Sequence, residues 1–99
     1  MAIVKLIEVS RKSDVIRSTG RYTLREVFIN PEHIVCLRED SATLELLREG
    51  QLPEGIDARQ RFTRVQMNRG SMGLDIVVVG SPAIVEDMLD TKDVRLLKG

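Results

Sequence analysis

The chain has no tryptophan, one tyrosine and two phenylalanines among its 99 residues. Its core must therefore be filled by aliphatic side chains. Binding of single strands by base stacking is disfavoured too, with only Tyr22 and Phe62 available as platforms. A single cysteine, Cys36, excludes an internal disulfide and suits a reducing compartment. The one histidine, His33, lies three residues from Cys36 on an expected strand, which turns the two side chains to opposite faces. Zinc would still lack two ligands there, and a Cys–His nucleophile pair fails on the same geometry. No run approaches the roughly 18 apolar residues of a spanning helix. The opening MAIVKLIEVS has no basic leader before a long apolar stretch. These absences lead to the expectation of a soluble cytoplasmic protein, not an enzyme, with no metal or cofactor.

Charge of one sign is missing only in sum. Fifteen basic and fifteen acidic residues cancel, which argues against a protein that simply coats nucleic acid. They are arranged in blocks, however. Arg11, Lys12, Arg17, Arg21 and Arg25 face a single acid, Asp14, within residues 10–25. Residues 26–58 are acidic in balance, 59–73 hold Arg59, Arg61, Arg64 and Arg69 with no acid, and 74–93 turn acidic again. Such blocks either pair with one another or leave one surface basic.

The apolar pattern reads as a single α+β domain: a small, twisted, mostly antiparallel sheet of about five strands with a short inserted helix and a C-terminal helix. Ala2 to Val9 alternates as a half-buried strand, and the polar stretch 10–20 reads as a loop. Tyr22 to Ile29 is rich in β-formers, Asn30-Pro31 breaks it, and His33 to Leu37 restarts a third strand. Asp40 or Ser41 caps a helix with Leu44 and Leu47 on its buried side and Gly50 past its end. Phe62 to Met67 and Leu74 to Val79 form a hairpin around a long turn at 68–73. Gly70-Ser71-Met72-Gly73 lacks the strand–glycine-loop–helix context of a phosphate loop. Ser81 and Pro82 start a helix expected to bury Ile84, Val85, Met88 and Leu89. Val94 to Leu97 reads as an edge strand or a docking tail.

The fifth strand is apolar on both faces, with Leu74, Ile76 and Val78 on one and Val77 and Val79 on the other. A wet-faced antiparallel sheet would alternate instead. Covering the second face is worth roughly 7 kcal/mol before entropy, at about 25 cal/mol per Å2. Either the inserted helix covers it or a second copy does. The second case makes the chain a homo-oligomer with Val77, Val79 and Phe62 at the contact. Asp75 interrupts this strand, and Arg64 of the neighbouring strand is its expected partner.

With the elements placed, the phrases from Leu44 onward resemble the second half of the RemA-type matrix regulators. There a LIDAT phrase precedes an arginine-rich RRTR and an apolar strand leads to a short helix, matching GIDARQRFTR, IVVVGSP and IVEDML here. The start Val4-Lys5-Leu6-Ile7 is similar to the RemA-type opening, and EVFINPEHIVCL is similar to the opening hairpin of the FlbD and SwrD motility proteins. The RemA resemblance implies a ring-forming, LytTR-like transcriptional regulator that binds DNA through arginines. Arg61, Thr63 and Arg64 stand where its arginine phrase stands, while Phe62 replaces one arginine. The expected function is a non-enzymatic homo-oligomeric bacterial regulator that contacts DNA phosphates through Arg59, Arg61, Arg64 and Arg69. Its alternative is a structural or protein-interaction module (a motility accessory, phage or assembly component) whose arginines form salt bridges between subunits.

Overall fold

The Asn30-Pro31 break decides how the sheet curves. The structure is a computed structural model and describes residues 3–11, 22–69 and 72–98. Its strands are β1 (Val4–Arg11), β2 (Tyr22–Ile29), β3 (Ile34–Glu39), β4 (Phe62–Arg69) and β5 (Met72–Val79). Helix α1 (Ser41–Arg48) lies between β3 and β4, and α2 (Pro82–Lys98) follows β5. The sheet order is β2-β1-β5-β4-β3, antiparallel at every pairing, so the fold is α+β with β2 and β3 at opposite edges.

Those two edges are nevertheless consecutive in the chain. Asn30 and a single 3-10 turn, Pro31–His33, join them. The Asn30 side-chain oxygen accepts the Glu32 N–H at 3.0 Å and Pro31 takes a position where no N–H is needed. From Ile29 to Ile34 a fully extended chain reaches at most about 18 Å, and less with a helical turn in it. Four interstrand spacings of a flat sheet span about 19 Å. The sheet must therefore curl, bringing its edges toward each other.

The concave face holds the core. Val4 and Leu6 of β1, Ile29 of β2, Val65 of β4 and Ile76 and Val78 of β5 pack with Val85 and Leu89 of α2. Ile34 and Leu37 of β3 both pack against this cluster although they are three residues apart. A β-bulge resolves the parity: Ile34 pairs with Met67 and Cys36 with the very next residue, Gln66. The extra residue, Val35, is turned out to 65% exposure.

Several expectations change. The final helix runs on through Lys98, so Val94 to Leu97 is helix and not an edge strand. Only Val85 and Leu89 of its first turns are buried, while Ile84 and Met88 are exposed at 57% and 39%. The β4–β5 pairing continues to Arg69 opposite Met72, which leaves Gly70 and Ser71 between them and shortens the expected turn. Those two residues lie outside the described residues. So does most of the expected 10–20 loop, whose Ser10 and Arg11 belong to β1. On α1, Thr43 is buried and Leu44 and Leu47 are half-buried.

Gly80 links β5 to α2 at φ +121°, where an added Cβ would meet Val85 Cγ2 at 3.4 Å. Its N–H donates to the Arg61 carbonyl at 2.8 Å, and its carbonyl accepts from Thr63 Oγ1 at 2.7 Å. Both sides of the junction are thus held while the backbone sits where a side chain is strained. Gly80→Ala is expected to cost about 1–3 kcal/mol in urea unfolding. Gly73→Ala, with no positive φ and open space around it, should stay within about 0.5 kcal/mol of the parent.

Candidate functional site

The four arginines of residues 59–69 come from the exit loop and from β4. Loop geometry places Arg59, whose backbone N–H donates to Asp57 Oδ1 at 2.7 Å and whose Nε reaches the same oxygen at 3.4 Å. Those two donors hold the Asp57 carboxyl below its ordinary pKa. Arg61 Nη1 meets Glu39 Oε2 at 2.8 Å, joining the end of β3 to the start of β4. Arg64 lies on the convex face of β4, because Thr63 and Val65 face the core. It donates through Nη2 to Asp40 Oδ1 at 3.1 Å and pairs through Nη1 with Asp75 Oδ2 at 3.6 Å. The cross-strand partnership with Asp75, expected from the strand pattern, is present. Its register is diagonal, since Arg64 lies opposite Val77 and Asp75 opposite Gln66. Arg69 ends β4, opposite Met72.

Asp40 organises this corner. It is 7% exposed and caps α1, accepting the Thr43 N–H at 3.1 Å and the Thr43 hydroxyl on one oxygen while the other oxygen takes Arg64. Burial by itself would raise the Asp40 pKa. The hydrogen bonds from Thr43 and the Arg64 guanidinium outweigh it and hold the carboxyl below its ordinary value. Glu39 and Asp40, adjacent in the sequence, anchor two separate arginines.

The strand faces divide as expected, with Phe62, Arg64, Val77 and Val79 on one side and Val65, Ile76 and Val78 on the other, but Phe62 is not at the surface. Phe62 is 1% exposed within one chain, so it has no surface to offer a second copy. α1 packs on β4, the strand Phe62 begins, and Phe62 stands apart from the central cluster. Val77 and Val79 are half-buried. Val79 joins Ile84 in the wall of an open hollow of about 650 Å3, where Arg59, Arg61 and Ser81 also contribute. A second hollow, of about 540 Å3, lies against Ile3, Phe28 and Leu74, each at least 45% exposed. None of these three stood out in the sequence, because each sits inside an apolar stretch whose other members are core. Cys36 donates its thiol to Gln66 Oε1 at 2.6 Å on the convex face.

Among the described residues, no three His, Cys, Asp or Glu side chains are grouped to hold a metal ion, and no helix is long and apolar enough to cross a membrane. Compared with known proteins, the chain matches no family model, no curated protein and no solved structure. The likeness to RemA-type regulators thus stands on the quoted phrases alone.

The Asp40 linkage has a definite sign. A carboxyl whose folded pKa is lowered stabilises the fold above its unfolded value of 3.8, and that contribution is lost as pH falls through the folded value. Asp40→Asn should therefore flatten the loss of stability on acidification below about pH 4, measured by thermal unfolding at successive pH values. At neutral pH, Asp40→Ala should lower stability by about 1–2 kcal/mol through loss of the cap.

Proposed function

We propose that this chain is a non-enzymatic protein-interaction module that associates with copies of itself. The observation that carries this reading is the state of the arginines. Arg59, Arg61 and Arg64, which a DNA-binding regulator would turn to phosphates, each already face a carboxylate of their own chain. A phosphate would have to displace Asp57, Glu39 or the Asp40–Asp75 pair, and the net charge of zero supplies no long-range attraction to help. This departs from the expected alternative, in which the arginines bridge two subunits, because the acids here belong to the same chain.

Association draws its support from apolar surface instead. Ile84 and Met88 lie four residues apart on α2, so they share one helix face, and Ile84 continues into the wall that Val79 lines. The contact between copies is accordingly moved from Phe62 to Val79, Ile84 and Met88. The DNA reading keeps one observation in its favour. Arg59 and Arg61 share their hollow with Ser81 at the head of α2, an end that favours anions.

Light scattering on the purified chain at about 100 μM separates these readings. The expected mass is a multiple of 11.2 kDa, reduced to the monomer by Ile84→Lys with the fold retained by circular dichroism. A monomeric parent chain overturns the association. For DNA, duplex binding at low salt that falls steeply between about 50 and 200 mM and vanishes in Arg59→Ala with Arg61→Ala would restore the regulator reading. No binding at the lower salt concentration is the expected result.

A further inference from the structure

The convex face of the sheet is polar toward β3 and apolar toward β2, and α1 packs only on the polar half, at β4. We infer that a second copy of the chain covers the apolar half, the two sheets lying back to back about a two-fold axis. The inference rests on the association proposed above and gives it a surface and a symmetry, with Val79 common to both.

The strand pairings lay out the apolar half. Lys5, Ile7 and Val9 alternate with the core residues Val4 and Leu6 along β1, so they point to the convex side. Across the β1–β2 pairing, Phe28 lies opposite Lys5, Glu26 opposite Ile7 and Leu24 opposite Val9. On the other flank Glu8 pairs with Val78, which sets Ile7 and Val9 beside Val79 and Val77 of β5. Leu24, Val9 and Val77 thus form one row and Ile7 and Val79 a second, with Phe28, 63% exposed, beyond them. α2 roofs the opposite face through Val85 and Leu89, so neither helix covers these rows. A sheet face that stays wet alternates polar with apolar residues, and three adjacent strands that do not alternate mark a contact surface.

The chain also has the surface of a subunit. A compact monomer of 11.2 kDa exposes about 5,700 Å2. This chain exposes 7053 Å2, about 1,300 Å2 more. Its radius of gyration of 14.6 Å likewise exceeds the value of about 12.6 Å for a compact domain of this length. A standard interface takes about 800 Å2 from each partner, which that excess supplies. Apolar sheet faces pack against each other about 10 Å apart, so a second sheet is a cover of the right kind.

Charge selects a second copy over an unrelated protein. Among the described residues, the only ion pair on this half of the face joins Lys5 Nζ to Glu26 Oε2 at 3.3 Å, with both side chains more than half exposed. A two-fold axis passing near this pair turns it end for end in the other copy. Lys5 of each copy then approaches Glu26 of the other. An unrelated partner needs an acid and a base placed to match, whereas a second copy carries them in place. The apolar rows match by the same rule, because an isologous contact sets a surface against itself.

Charge reversal tests whether the two faces meet. Lys5→Glu puts two acids on the face and Glu26→Lys puts two bases there, both at exposed positions outside the core. Each variant alone should associate at least tenfold more weakly than the parent in sedimentation equilibrium. An equimolar mixture, with one variant isotope-labelled, should regain the parental affinity as a one-to-one pair in native mass spectrometry. Phe28→Lys, at an exposed position and checked for folding by circular dichroism, should also weaken association at least tenfold. Mixed variants that ignore each other, or a Phe28→Lys chain of parental affinity, overturn the back-to-back contact. A monomeric parent overturns it together with the association. A parent that Ile84→Lys dissociates and the face variants do not overturns the face alone and leaves the association standing.

Discussion

Four residues, Asn30 to His33, join the two outermost strands of a five-stranded sheet, and a link that short cannot bridge a flat one. The curl it enforces creates a concave face narrow enough for one helix to roof. That is how a chain with two phenylalanines and no tryptophan makes a core: aliphatics from four strands converge on Val85 and Leu89. The same curl stops short of closure: β2 and β3 do not pair, and an open hollow remains between the β1–β2 strands and the β4–β5 hairpin.

The convex face solves a different problem. A curved sheet this small has too little helix to cover both sides, and toward β3 the outer side is managed largely by polar contacts. Arg64 spans three elements, reaching Asp40 at the head of α1 and Asp75 on β5 from its place on β4. Arg61 ties the end of β3 to the start of β4 through Glu39. These pairs are partly exposed, and exposed pairs are individually worth about 1 kcal/mol or less. Their larger consequence is electrostatic: they place a carboxylate against Arg61 and Arg64 within the same chain.

The bulge at Val35 shows how local geometry redirects a pattern. Read with period two, Ile34 and Leu37 point to opposite faces, and one of them should be wet. One inserted residue puts both against the core and displaces Val35 outward. On α2 the difficulty is the reverse. Ile84 with Met88 and Val85 with Leu89 are two equally good four-residue stripes about 100° apart. Periodicity alone does not say which one the sheet will take.

Local chemistry determined a good deal of this protein from the sequence alone: five strands, a helix cap at Asp40 or Ser41, Ser81 and Pro82 at the start of the last helix, Gly50 past the end of α1, and the pairing of Arg64 with Asp75. Each depends on residues near in sequence or on neighbouring strands of one hairpin, so spacing and side-chain type are enough. Only the tertiary structure decided that Phe62 is internal, that the arginines of 59–64 meet acids from 39 to 75, and that an open hollow remains between the β1–β2 strands and the β4–β5 hairpin. Those outcomes depend on how far the sheet curls and which strands become its edges. The short Asn30–His33 link enforces the curl only because the strands it joins are the two edges of the sheet, and that order is set by pairings between residues distant in the chain.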